Sequence, residues 1–150
     1  MYCKKGPKGL TYLSWASAWA IVKQSHSGAM FTAYENVDSE SGLVLNYFHD
    51  SKTCWVKVGT KLTPDGLEYI MTLPVMDYHY NSIPIDKVTS QDVNTAIQRC
   101  LVKSFVADLK LSLLSLLLAE VTTPNNSTNI IKKLLISSYA ILESFLVLYL

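Results

Sequence analysis

The chain has 150 residues, of which 49% are apolar and 17% charged, and a net charge of +1. That balance suits one domain with a hydrophobic core, and it excludes a disordered tail protein or a uniformly basic coat for nucleic acid. Charge is segregated, however: residues 1–33 carry four lysines and no acid, whereas residues 34–50 carry four acids and neither lysine nor arginine. The basic end suits phosphate. Cys3, Cys54 and Cys100 are odd in number, widely spaced and outside any C-x-x-C pattern. They point away from a disulfide framework or a zinc site and toward a reducing, cytoplasmic setting. No apolar core of signal-peptide length follows the early lysines, so export by that route is not expected.

In chain order, residues 10–23 are alanine-rich and place Trp15, Ala18, Trp19 and Val22 on one face at helical spacing, which predicts a short amphipathic helix. Core packing is the reading for both tryptophans. After Gly28, residues 30–37 have the β-branched and aromatic character of a strand. A second extended stretch covers residues 43–48, and a third covers 53–62 after a turn at Asp50-Ser51. Thr63-Pro64-Asp65-Gly66 is a hairpin signal, since proline presets one turn dihedral and glycine accepts a positive one. The return strand, residues 67–73, should stop at Pro74, which cannot donate to a ladder. Residues 77–88 read as a loop.

A helix is expected over about residues 90–108, with Thr89 or Ser90 as its cap and Asp92 in its first turn. Val93, Ala96, Ile97, Cys100, Leu101 and Ser104 share the side that meets the sheet, and Thr95, Arg99 and Lys103 the other. Residues 111–150 contain 12 leucines and only four charged residues, and should be helical with a break at residues 122–126. Membrane insertion of residues 134–150 is disfavoured by Glu143 and by a length short of the usual ~20 apolar residues.

No catalytic constellation stands out. The phosphate-binding pattern G-x-x-x-x-G-K-[ST] is missing, so nucleotide-driven strand exchange of that type is not expected. Asp77 and His79 form a lone Asp-x-His, better explained by hydrogen bonding in a turn than by a metal. No cofactor or metal is expected. The informative pattern is the third strand, where alternation sends Cys54, Val56 and Val58 to one face and Trp55, Lys57, Gly59 and Lys61 to the other. An aromatic and basic strip suits a single strand of DNA, since lysines neutralise phosphates and a ring stacks on any base. A solvated strand with a partly buried tryptophan has the same pattern. Arg99 and Lys103 repeat the theme on the helix, and the Tyr78-His79-Tyr80-Asn81 loop adds two rings.

The segments Leu10-Thr11-Tyr12-Leu13-Ser14-Trp15-Ala16, Trp55-Val56-Lys57-Val58, Leu73-Pro74-Val75-Met76-Asp77 and residues 92–103 together resemble the phage single-strand annealing proteins of the Sak group, over about residues 8–107. The resemblance implies an α+β fold of the Rad-fifty-two type, with a small, mainly antiparallel sheet covered by a helix. It also implies a non-catalytic protein that binds single-stranded DNA, forms homo-oligomeric rings or filaments, and pairs complementary strands without ATP during phage recombination in the host cytoplasm. A phage exonuclease or a host single-strand-binding protein would be further partners. The family has no agreed catalytic residues, so what carries over is a binding surface: Lys57 on the strand and Asn94, Gln98, Arg99 and Lys103 on the helix, joined by exposure with Trp55, Lys61, Tyr78 and Tyr80. Beyond Ala107 the glycine-containing ending of the family is replaced by a leucine-rich tail, so the expected division is an annealing domain over 1–108 and a tail over 109–150. A shifted reading frame and a divergent natural ending both produce such a change. The rival readings are a metal-dependent DNA-processing enzyme and a small membrane or interaction protein built on the tail.

Overall fold

A computed structural model describes residues 3–5 and 11–122 of the chain. It is an α+β structure whose elements run β1 (Cys3–Lys5), β2 (Thr11–Leu13), α1 (Trp15–Ser25), β3 (Met30–Ala33), β4 (Asn36–Val37), β5 (Val44–Leu45), β6 (Phe48–His49), β7 (Cys54–Lys61), β8 (Tyr69–Pro74) and α2 (Ser90–Thr122). All ladders are antiparallel: β1 with β2, β4 with β5, and β7 with β3, β6 and β8. Since β3 pairs with Val58–Lys61 and β6 with Cys54 and Trp55, these two short strands lie end to end along one edge of β7 while β8 takes the other.

The first helix begins later than its apolar pattern suggests, because Thr11–Leu13 is committed to pairing with β1. Ser14 is the cap, its Oγ accepting from the Ser17 amide at 3.2 Å. The 30–37 and 43–48 stretches each divide in two: their inner ends pair with β7, and their outer ends form the separate β4–β5 ribbon around Gly42, whose φ is +69°. The hairpin at 63–66 closes with the Gly66 amide donating to the Thr63 carbonyl at 3.0 Å. Gly66 is needed there for space rather than for a positive φ, because a Cβ would meet Thr63 Oγ1 at 2.6 Å. Pro74 does end the return strand, as its final residue.

The N-terminus of α2 is a reciprocal capping box: Thr89 N and Oγ1 donate to Asp92 Oδ2 at 3.0 and 2.6 Å, and the Asp92 amide donates back to Thr89 Oγ1 at 3.3 Å. From there the helix runs unbroken past residue 108 to Thr122. Its first half lays Val93, Ala96, Cys100 and Leu101 on Cys54, Val56, Val58 and Leu73 of the sheet and on Val75 just beyond β8. Its second half turns Val102, Phe105 and Leu109 toward Ala18, Ile21 and Val22 of α1. Trp15 packs against both clusters. It stacks on Trp19 at 5.6 Å, and both rings meet Phe31 of β3 edge-on at 5.0 and 5.1 Å and pack beside Phe105. Each such aromatic pair adds roughly 0.5–1.5 kcal/mol beyond its burial, so this cluster fixes α1 against both β3 and α2. The core reading of the two tryptophans is thereby met. The leucine-rich stretch beyond residue 122, including Glu143, lies outside the described residues.

One polar group interrupts the core. Thr60 and Ser104 are fully buried and share a hydrogen bond of 2.8 Å, and Thr60 Oγ1 also donates, at 3.4 Å, to Asp108. Burial pushes the Asp108 carboxyl up to about 6, against the opposing pull of the Thr60 hydroxyl. The folded protein holds this proton more tightly than the unfolded chain, whose carboxyl titrates at about 3.8. Its contribution to stability is therefore fully present below about pH 3.8 and lost as pH rises through about 6. The whole shift is equivalent to about 3 kcal/mol, which solvent screening of a half-exposed carboxylate reduces to about 1 kcal/mol. Asp108→Asn, which cannot ionise, should raise Tm by about 2–4 °C near neutral pH and leave it unchanged near pH 3.5. Thermal melting at the two pH values checks this, and equal shifts at both would contradict it.

Candidate nucleic-acid interface

The alternation of β7 holds with one exception: Cys54, Val56 and Val58 are buried beneath α2, and Trp55, Lys57 and Lys61 stand half-exposed on the other face, whereas Gly59 on that face is buried under Glu68. Neighbouring strands furnish that outer face. Phe48 of β6 lies parallel to Trp55, with ring centroids 6.4 Å apart and planes 16° apart. Tyr34, just beyond β3, places its ring 4.9 Å from Lys57 Nζ, a contact worth about 0.5–1 kcal/mol at an exposed site. The Tyr34 hydroxyl in turn donates to Glu68 Oε2 at 2.8 Å. This hydrogen bond, followed by burial and by the charge of Glu68, holds the phenol above its usual range.

Glu68 can lie across β7 only because residue 59 is glycine. A Cβ there would collide with Oε1 of Glu68 and approach its Cδ to 2.7 Å. The result is a hollow of about 280 Å³ on the outer face, walled by Met30, Thr32 and Tyr34 and closed by Gly59, Lys61 and Glu68. Tyr34, Phe48 and Glu68 were not legible as site residues. The available signal was Gly59 itself, since a glycine inside a strand marks the close approach of another group.

The second group of expected residues lies elsewhere. Arg99 stacks over Tyr80, its guanidinium carbon 5.6 Å from the ring centroid. Tyr80 is held outward in a left-handed turn with φ of +66°. Asp77 builds that turn by accepting from the His79 and Asn81 amides at 2.8 and 2.9 Å, and these bonds hold its carboxyl below the usual range. Hydrogen bonding thus accounts for the Asp-x-His pair. Tyr78 is also exposed, and its ring lies against that of His79 with centroids 3.9 Å apart.

At about 100° per residue, Arg99 and Lys103 occupy one flank of α2 and Asn94 and Gln98 the other. Tyr80 adjoins the first flank and α1 the side of the second. Burial agrees: Arg99 and Lys103 are half-buried, whereas Asn94, Thr95 and Gln98 are exposed. The side chains proposed for DNA therefore form a sheet-face set, Trp55, Lys57 and Lys61, and a helix-flank set, Arg99 with Tyr80 and Lys103. Asn94 and Gln98 join neither. The sheet-face set lies on the side of β7 opposite α2, so the two sets are not one continuous face.

Among the described residues no group of three or more His, Cys, Asp or Glu is placed to hold a metal ion. Cys54 and Cys100 are buried free thiols, raised by that burial, Cys100 to about 11 with Lys103 acting slightly the other way. Among the described residues, too, no helix is long and apolar enough to cross a membrane. What the geometry shows is two places where aromatic rings and cations pair: Trp55 with Phe48 and Lys57 with Tyr34 on the sheet, and Arg99 with Tyr80 beside the helix.

The chain matches the model of the Sak single strand annealing protein family over residues 2–116, and it belongs to that family. The match passes beyond Ala107 and spans every described strand and the helix–sheet contact. Annealing of single strands, and with it binding to single-stranded DNA, is the activity of this family. No curated protein and no solved structure matches the chain.

The division into two sets makes their contributions separable. Lys57→Ala and the pair Arg99→Ala with Lys103→Ala should each weaken single-strand binding and flatten its salt dependence by roughly one unit per cation removed. The losses should add in free energy, because the sets share no contact. Melting should move by no more than about 1 kcal/mol equivalent, the worth of the exposed ring contact each change removes. Salt-titrated fluorescence anisotropy beside thermal melting checks this; a fall in Tm that tracks the loss of binding would make these residues structural.

Proposed function

We propose that the protein anneals complementary single strands without ATP during phage recombination, acting in the host cytoplasm as a homo-oligomer. The observation that carries this reading is the outer face of β7, where Trp55, Lys57 and Lys61 project together from a strand whose other face is core. Lys57 and Lys61 stand four residues apart on one face, about 13–14 Å along the strand, so they can hold two separate phosphates of an extended backbone. A ring beside them stacks on bases without reading identity.

Annealing of this kind requires no covalent step. Holding two strands extended lowers the entropic cost of finding register, and base pairing supplies the specificity. A face of three strands' width holds only a few nucleotides, so tight binding comes from many subunits acting on one strand. A phage exonuclease that makes the single strands, or a host single-strand-binding protein that must be displaced, is the expected kind of protein partner.

Pairing of two labelled complementary oligonucleotides, followed by fluorescence with and without ATP and magnesium, tests the proposal. The purified full chain should accelerate pairing equally in both conditions, and added salt should suppress the effect. Acceleration that vanishes without ATP, or no acceleration over the spontaneous rate, would overturn it.

A further inference from the structure

On the outer face of the sheet a carboxylate stands in the middle of a basic strip. Glu68 lies over Gly59, which Lys57 and Lys61 flank two residues to either side. Yet neither lysine is within ion-pair distance of it; its one partner among the described residues is the Tyr34 hydroxyl on Oε2, which leaves Oε1 free above the glycine. A surface built only to attract phosphate gains nothing from this acid, which repels the backbone it lies beneath. The hollow beside it, about 280 Å³ with the half-exposed Met30 as an apolar wall, is at the small end of ligand sites.

We infer that this hollow is a nucleobase subsite in which Glu68 accepts a hydrogen bond from the exocyclic amino group of cytosine or adenine. The inference rests on the single-strand binding reading and adds a base preference to it. Away from their pairing edges, cytosine and adenine present an amino donor, whereas thymine presents a carbonyl and a methyl group and guanine two acceptors. A carboxylate at that edge favours the first two and repels the others. Because each amino group carries two hydrogens, the one directed away from the pairing edge meets Glu68 and the other remains for the complementary strand. The base is thus held without being withdrawn from annealing. Gly59 gives the base edge access to the sheet, Lys57 and Lys61 take the flanking phosphates, and the Tyr34 hydroxyl orients the carboxylate.

The test is anisotropy with oligo-dC and oligo-dT of equal length, at one salt concentration and neutral pH, on the full chain and on Glu68→Gln. The wild-type protein should bind oligo-dC more tightly, by about tenfold, the usual effect of one hydrogen bond to a charged group. Glu68→Gln, whose amide can either accept or donate, should level the two by raising affinity for oligo-dT and lowering it for oligo-dC, with an unchanged Tm. Equal binding of the two oligomers by the wild-type protein would overturn the inference and leave single-strand binding standing, as would a preference that survives in Glu68→Gln. Failure to bind either oligomer would overturn the annealing reading and the subsite with it.

Discussion

Strand β7 has partners along both edges and a helix against one face, so the period-two alternation of its side chains governs what every other element does. Cys54, Val56 and Val58 supply the floor on which α2 lies, and the opposite set is left for solvent and ligand. A slip of one residue would bury Trp55, Lys57 and Lys61 and expose the valines. Register is therefore fixed by the same core that creates the binding face. The hairpin to β8 adds to this constraint, since six residue pairs are set by a turn in which Pro64 and Gly66 leave little freedom.

The course of α2 follows from its two supports. Its first half rests on the sheet and its second half on α1, so the buried stripe drifts round the helix and its polar side chains fall on separate flanks. The aromatic group of Trp15, Trp19, Phe31 and Phe105 stands where sheet, α1 and α2 meet. It joins the basic N-terminal part of the chain to the sheet, and the Thr60, Ser104 and Asp108 cluster lies close by as a polar point in an otherwise apolar seam.

Much of this was legible from residue order alone. Alternation in β7, the turn at 63–66 and the cap of α2 are local patterns with local causes, and each is found at or within a residue or two of its expected place. Other features depend on partners distant in sequence. Thr11–Leu13 continues the apolar pattern of α1 yet pairs as a strand, because β1 is there to receive it. Two-residue strands such as β4 and β6 are too short to show a period. That Arg99 meets Tyr80, or that Tyr34 and Glu68 meet across Gly59, follows only once the strands and helices are assembled. The residues expected to touch DNA were chosen as one surface, and assembly divides them into two.

In the proposed function single-stranded DNA lies on the outer face of β7, opposite α2. Photocross-linking of the full chain to a single-stranded oligonucleotide carrying 5-iodouracil, with the attached peptides mapped by mass spectrometry, addresses that directly, because such cross-links form preferentially to aromatic rings in contact with a base. Attachment is expected at Trp55, with Tyr34 or Phe48 as secondary positions, and the Trp55 product should be lost when salt displaces the DNA. Cross-links confined to Tyr78 and Tyr80, or to rings of the α1 cluster, would place the DNA on another face and contradict the proposal.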